Sequence, residues 1–330
     1  MSKEIDFVIT WVNDKDKNWN KKRAQYMPDY DNAYEDGASS ERFRDYGTLL
    51  FLFRSIEKYS PWVHKIYLIT DNQTPEWLNT NDKVKIIDHT KIIDKKYLPI
   101  FNSSVIEMNM YKIPNLSEYF VYFNDDMILN KELQPTDFFK DELPRDSRIY
   151  TGIVPKEDFD HILLANGILL NKYIDHKWPI SKRGIFNLKN GINLLRTILF
   201  LPQLLKSGIP GYVEPHGPLS LRKSSFYKAK EIWGDKIEKN NTHRFRELDD
   251  ITVWLIRHLQ LELGEFYPRS AKFNSFYTLD QVDNIVKDLT KKVSSTMCIN
   301  DKNIENYDEK IVVIKDALYK KFPEKSKFEL

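Results

Sequence analysis

The chain has 330 residues, 30% of them charged and 13% aromatic, a composition that excludes disorder and suits one large folded domain or two moderate ones. Its 50 Lys and Arg against 48 Asp and Glu leave a formal charge of +2, so no polyanion is implied and nucleic acid is not the expected partner. A single cysteine, Cys298, rules out an internal disulfide and suits a reducing, cytoplasmic compartment. The opening Met-Ser-Lys-Glu-Ile-Asp lacks the apolar core of a signal peptide, and no run reaches the ~18 apolar residues of a membrane span.

Strands and helical patterns alternate through the first 150 residues. Ile5 to Val12 (IDFVITWV) is predicted as a strand, followed by a polar loop over Asn13 to Asn18. Tyr46 to Tyr59 carries Leu49, Leu50, Leu52, Phe53 and Ile56 on one broad face, which predicts a helix ending before Pro61. Lys65 to Thr70 and Val84 to Asp88 are further strands, and Asn102 to Ile113 is a helix capped by Asn102 or Ser103. The β-formers from Tyr119 to Phe123 make a buried strand. Such alternation predicts an α/β fold with a mostly parallel sheet in three layers, with the strand ends at Val12, Thr70 and Phe123 on one rim.

The second half is mainly helical. Helices are predicted over Lys189 to Leu205, Leu219 to Lys230, Leu248 to Leu263, Leu279 to Lys291 and Glu309 to Lys321. Polar loops rich in His, Arg and Pro, around His216 and from Thr242 to Arg246, lie between them. With no repeat and no low-complexity linker, residues 1–150 and 151–330 are expected to form two halves of one unit, the helices capping the rim.

Chemistry concentrates where the Tyr119 strand ends, at Asn124-Asp125-Asp126. Adjacent carboxylates repel unless a positive charge sits between them, and a hard divalent cation such as Mg²⁺ or Mn²⁺ is the economical partner because it also bridges to phosphate. An Asn-Asp turn or helix cap explains the same residues equally well. Trp62 and Trp77 read as packing.

Four blocks together resemble the Stealth family, which includes bacterial capsular-polysaccharide hexose-1-phosphate transferases and the catalytic subunit of the lysosomal N-acetylglucosamine-1-phosphotransferase. They are Ile5 to Asn13; a long block from Arg42-Phe43-Arg44-Asp45 through Leu52 to Trp62, Ile66 to Gln73 and Leu98 to Glu107 to Asn124-Asp125-Asp126; the His216 loop with Arg246 and Asp250; and Cys298-Ile299-Asn300-Asp301 with the closing Phe328-Glu329-Leu330. Asn13-Asp14 departs from the glycine that usually follows the family's Asn. The resemblance implies a Rossmann-like or GT-A-like fold and a UDP-sugar donor, attacked at its β-phosphorus by an acceptor hydroxyl, with the whole hexose-1-phosphate moving and UMP leaving. It also implies an acceptor that is a polysaccharide or a lipid-linked oligosaccharide. A metal-dependent glycosyltransferase releasing UDP and a non-catalytic nucleotide-sugar-binding protein are the alternatives.

On that resemblance Asp125, Asp126 and Asp301 are the candidate metal ligands, with Asn124 orienting them or touching substrate. His216 is the candidate general base, since imidazole titrates near neutrality, although a surface loop histidine has the same appearance. Arg246 suits a bidentate phosphate clamp oriented by Asp250 four residues on, although such charge runs are more often solvated. Thr10, Trp11, Asn13, Arg44, Asp45 and Asn300 are nucleotide or substrate candidates, Trp11 reading equally as core.

Residues 192–205 (INLLRTILFLPQLL) are strongly apolar and flanked by Lys182, Arg183, Lys189 and Lys206. Too short to span a bilayer, the segment suits an interfacial helix at the inner face of a membrane. A core or dimer-contact helix is the simpler expectation, because Leu and Phe at helical spacing are usually buried. Homo-oligomerisation stays open.

Overall fold

The computed structural model describes residues 3–27, 43–156, 160–175, 177–302 and 304–330. Arg42 of the Stealth-like block lies outside them. Strands β1 (Ile5–Thr10), β2 (Ile66–Thr70), β3 (Val84–Asp88) and β4 (Tyr119–Asn124) pair in parallel in the order β3-β2-β1-β4. Thr10 lies in register with Ile69 on one side and Asn124 on the other, so three strand ends share one rim, as the alternation predicts.

After β4 come β5 (Met127–Leu129), β6 (Phe139–Lys140), β7 (Leu143–Asp146) and β8 (Leu219–Arg222), the last running antiparallel beside β4 as the fifth strand of the central sheet. β9 (Tyr267–Pro268) pairs with β7, while β10 (Asn274–Thr278) and β11 (Thr296–Asn300) form a separate three-stranded sheet with β5. The second half therefore supplies strands to the sheets as well as helices.

Period-two alternation in β1 builds the layers. Phe7 and Ile9 pack into one core with α2 (Thr48–Tyr59), and Val8 points into the other with α3 (Ser103–Asn109). Of the later helices, α7 (Lys223–Asn240) and α8 (Val253–Glu262) share the core of Val8, whereas α9 (Val282–Lys291) and α10 (Tyr307–Lys321) share that of Phe7. Phe7, Val8 and Ile9 are fully buried, each contributing about 1.5–3 kcal/mol of transfer free energy. Trp62 and Trp77 are packing residues, against Phe7 and Phe53 respectively.

Several local expectations change. The loop from Asn13 gives way at Lys17 to α1 (Lys17–Tyr26), because Asp16 caps that helix through the amides of Asn18 and Trp19. Leu219 to Lys230 is not one helix: its first four residues pair with Tyr119–Tyr122 as β8, a tertiary pairing that outweighs local propensity. The helix expected from Leu248 starts at Val253, after the Thr252 side chain accepts the Trp254 amide. The helix expected over Lys189 to Leu205 begins as a 3₁₀ turn over Leu188–Asn193 and continues as an α-helix over Leu194–Lys206, mostly exposed, so the simpler expectation of a core helix fails. No helix among the described residues is long and apolar enough to cross a membrane.

Candidate active site

β4 ends at Asn124, and the chain reverses through Asp125 and Asp126 into β5, which leaves the central sheet for β11. The Asp pair is thus both a turn and a rim. β11 fixes it from the side: the Ile299 amide donates to the Asp126 carbonyl at 2.9 Å, and Cys298 Sγ donates to Asp126 Oδ2 at 3.2 Å. Asp126 is buried, and its Oδ1 has no hydrogen-bond partner among the described residues. Burial pushes its carboxyl up to about 6 despite the Cys298 bond, which favours the charged form. The Asp125 carboxyl is held well above the usual range by burial, then by the charges of Asp126 and Asp45.

Two neighbouring acids that resist ionisation, one with an unused buried oxygen, fit a hard divalent cation. Among the described residues no three His, Cys, Asp or Glu side chains are grouped to hold a metal unaided. A cation on Asp125 and Asp126 would therefore complete its shell with phosphate oxygens and water. Asp301, expected as a third ligand, shares the Tyr46 hydroxyl's surroundings with Asp125 and Asp126 and is also paired with Arg44. Its Oδ2 lies 3.5 Å from Arg44 Nη1 and its Oδ1 accepts the Lys302 amide at 2.7 Å, so the strand end that carries it is tied to Arg44. The Arg44 guanidinium also lies 4.5 Å over the Tyr307 ring. Exposed Asn300 donates to the Asp301 carbonyl at 3.1 Å.

The nucleotide candidates on the first loops are mostly engaged with one another. Trp11 is buried in the core and donates through Nε1 to Asp45 Oδ2 at 3.0 Å, while Asp45 Oδ1 accepts the Gly47 amide at 2.7 Å. Trp11 therefore positions Asp45 and does not offer a stacking face. Asn13 exchanges backbone hydrogen bonds with the Gln73 amide group, at 2.9 and 3.0 Å, which pins the first rim loop to the second. Tyr46, which sequence reasoning assigned only to a helix, is buried beside the acids, its hydroxyl donating to the Ile299 carbonyl.

A second group forms on the other side of Asn124. The Tyr122 hydroxyl lies 2.5 Å from Asn124 Oδ1, 3.1 Å from Thr10 Oγ1 and 3.1 Å from Glu107 Oε1, joining β1, β4 and α3. Burial pushes the Glu107 carboxyl up to about 7, the Arg246 charge and the Tyr122 bond offsetting only part of the desolvation. Arg246 Nη2 donates to Ser103 Oγ at 2.8 Å. Ser103 and Glu107 are four residues apart on α3, so they present one face to that guanidinium. Glu107 closes one stretch of the Stealth-like block, where the sequence gives it no role. Nothing local marks it, because its neighbours come from β4 and from a loop far along the chain.

Asp250, four residues after Arg246, anchors the loop that carries the guanidinium. Fully buried, it accepts from Asn102 Nδ2 at 2.8 Å, His243 Nδ1 at 2.7 Å and the Glu247 amide at 3.2 Å, so it fixes the whole loop that carries Arg246. His216 sits in left-handed backbone (φ 39°), with its carbonyl and that of Pro215 held by Asn274 Nδ2. Its ring lies 4.6 Å from Phe276 and 5.3 Å edge-on from Trp254. Phe276 is in register with Cys298, so His216 stands over the strand next to the one that holds Asp126. Surrounding protein lowers the imidazole pKa, the charges of Glu214 and Asp160 offsetting only part of the effect. Glu214 is itself fixed by Arg257 Nη1 at 2.8 Å and His258 Nε2 at 2.7 Å.

A mostly parallel α/β sheet carries paired acids at its strand ends, with the His216 imidazole set against Phe276 of β10 and the Arg246 guanidinium bonded to Ser103 of α3, side chains of the kinds a group-transfer enzyme uses. Stealth protein CR1, conserved region 1, matches residues 3–31, and Stealth protein CR2, conserved region 2, matches residues 42–146. An exopolysaccharide phosphotransferase of Lactiplantibacillus plantarum is 40% identical over 99% of this chain and 96% of its own length. A capsular polysaccharide phosphotransferase of Streptococcus pneumoniae is 40% identical over 99% of this chain and 98% of its own, and a receptor polysaccharide phosphotransferase of Streptococcus gordonii is 35% identical over the full length of both. The chain belongs to the Stealth family of phosphotransferases. Among solved structures the galactosyltransferase LgtC, determined with donor and acceptor sugar analogs, aligns over 94% of this chain and 95% of its own at 10% identity and a TM-score of 0.41, too distant a likeness to carry an argument.

Proposed function

We propose that the chain transfers a hexose-1-phosphate or N-acetylhexosamine-1-phosphate from a UDP-sugar to a hydroxyl of a growing capsular or exopolysaccharide, or of a lipid-linked oligosaccharide, and releases UMP. The observation that carries this reading is the turn at Asp125 and Asp126, two acids with raised pKa, one of them with a buried oxygen that has no partner among the described residues, combined with near full-length likeness to polysaccharide phosphotransferases. The acceptor oxygen bonds to the β-phosphorus, the bond from that phosphorus to the oxygen bridging it to the α-phosphate breaks, and UMP leaves with the bridging oxygen.

Each group has a task in that step. His216 takes the proton of the acceptor hydroxyl, its lowered pKa keeping a neutral, accepting nitrogen at pH 7. Arg246, on the loop fixed by Asp250, offers its fork to phosphate oxygens. Glu107 lies against the same guanidinium and holds or releases a proton near neutrality. Thr10 and Asn124, joined through Tyr122, and Arg44 line the donor side. Mg²⁺ or Mn²⁺ on Asp125 and Asp126 would neutralise diphosphate charge as the bridge breaks. Residues from both halves, 1–150 and 151–330, thus make one catalytic unit.

A donor labelled at its β-phosphorus tests the reading. Label retained in the saccharide product with UMP released is the expected result. Label released in UDP, with an unlabelled saccharide, would instead make the chain a glycosyltransferase.

A further inference from the structure

The helix over Leu194–Lys206, here α6, follows α4 (Pro135–Phe138) and α5 (His161–Ile174) and presents an apolar face outward. Leu195 is 56% exposed, Ile198 45%, Leu199 77% and Leu205 64%, and the turn before the helix adds Leu188 at 83% and Ile192 at 80%. Only Thr197 and Leu204 are buried. At about 100° per residue, the exposed leucines and Ile198 occupy an arc of roughly 120°. Thr197 and Leu204 lie on the inner side, and Arg196 and Gln203 adjoin the arc. Folding has not used this face, and a contiguous apolar surface of this kind marks a contact with something else.

The surrounding charge says what that is. From Lys177 to Val213 the sequence carries Lys177, Lys182, Arg183, Lys189, Arg196 and Lys206, and no Asp or Glu. All six cations are exposed. A second copy of the chain is a poor occupant, because two-fold pairing of this face would set the cations of this segment against their own copies. An anionic lipid surface answers both features at once: its acyl boundary takes the leucines, and its headgroups take the cations. At about 1.5 Å per residue the helix is too short to cross the ~30 Å hydrocarbon core, so it would lie in the interface plane.

We infer that the outward face of α6, with the Leu188–Asn193 turn, docks the protein peripherally on an anionic bilayer. This stands independently of the identity of the donor. Flotation of the full chain tests it, with vesicles of phosphatidylcholine alone and of phosphatidylcholine and phosphatidylglycerol in equal parts. The wild type should float with the mixed vesicles and stay at the bottom with the neutral ones. Leu195→Asp with Leu199→Asp should remain at the bottom in both, with an unchanged thermal midpoint. Arg196→Glu with Lys206→Glu should float at least tenfold less, since each cation near an anionic surface is worth about fivefold in partition. If the aspartate pair unfolds the protein, Leu188→Asp serves in its place. Wild-type protein that ignores mixed vesicles, or floats equally well with neutral ones, overturns the inference. So does a dimer in light scattering that the aspartate pair returns to monomer, which would make a second copy the occupant.

Discussion

Cys298 Sγ donates to Asp126 Oδ2 at 3.2 Å, so the one thiol of the chain is the donor that steadies the buried acid at the strand ends. Burial, then the Asp126 charge, pushes that thiol well above its ordinary range, and it stays protonated and donating at neutral pH. Cys298→Val keeps the volume and removes the donor. It should raise the Mg²⁺ or Mn²⁺ concentration for half-maximal turnover by roughly 10–100-fold, as losing a hydrogen bond to a metal-ligating carboxylate does. Cys298→Ser should come within a few-fold of wild type. Metal titrations of the two variants that match wild type would show the bond to be idle.

Asp126→Asn should nearly abolish UMP release while the chain stays folded, because it removes a unit charge and a ligand oxygen together. Excess chelator should stop wild-type turnover, and added Mg²⁺ or Mn²⁺ should restore it. Full turnover in chelator would take the metal out of the reaction.

Glu107 gives a pH prediction with a definite sign. Its carboxyl sits at about 7 in the folded chain against an ordinary 4.5. Between those values the unfolded chain binds fewer protons than the folded one, so stability falls as pH rises through the window and stays reduced above it. Glu107→Gln removes the titration. The variant should melt above wild type at pH 8, by an amount on the order of 1–2 kcal/mol, and nearly level with it at pH 4. It should also lose turnover, since the Tyr122 and Arg246 contacts lose their charged partner. Melting curves of the two proteins that stay parallel from pH 4 to pH 8 would show that the group is not strained.

What was legible in the sequence was what strands and turns write locally. Ile5–Thr10, Ile66–Thr70, Val84–Asp88 and Tyr119–Asn124 are runs of β-formers separated by helical patterns, and so the parallel sheet and its rim of Asn and Asp follow. Leu219–Arg222 was not legible as a strand, because only its pairing with Tyr119–Tyr122 makes it one. Glu107 stayed silent because burial and Arg246, not its own neighbours in sequence, set its proton affinity. Asp250 stands at helical spacing from Arg246, yet that stretch is a loop, and the bonds of its carboxylate to Asn102 and His243 come from residues that spacing does not reveal. The apolar run at 192–205 reads from its sequence as a helix that is either interfacial or packed in a core or dimer contact; periodicity gives the face, and only packing says which way it points.

His216 and Arg246 carry the sharpest prediction, since each is asked to act on a different part of the step. His216→Ala should lower kcat by roughly the 10²–10⁴-fold of a lost general base and leave the KM for the UDP-sugar within a few-fold. Its pH profile should also lose the acid limb, because the imidazole, held below its ordinary pKa by surrounding protein, must be neutral to accept the proton. Arg246→Lys keeps the charge and loses the planar fork, so it should cost both kcat and donor affinity, with the deficit larger than a conserved charge would suggest. Ser103→Ala, which removes the 2.8 Å acceptor of Arg246 Nη2, should show the same pattern more weakly, as expected of a residue that positions the guanidinium. Steady-state kinetics with varied donor separate these cases. A His216→Ala enzyme that binds donor poorly and turns over at the wild-type rate would move the base elsewhere, with Glu107 the next group to test.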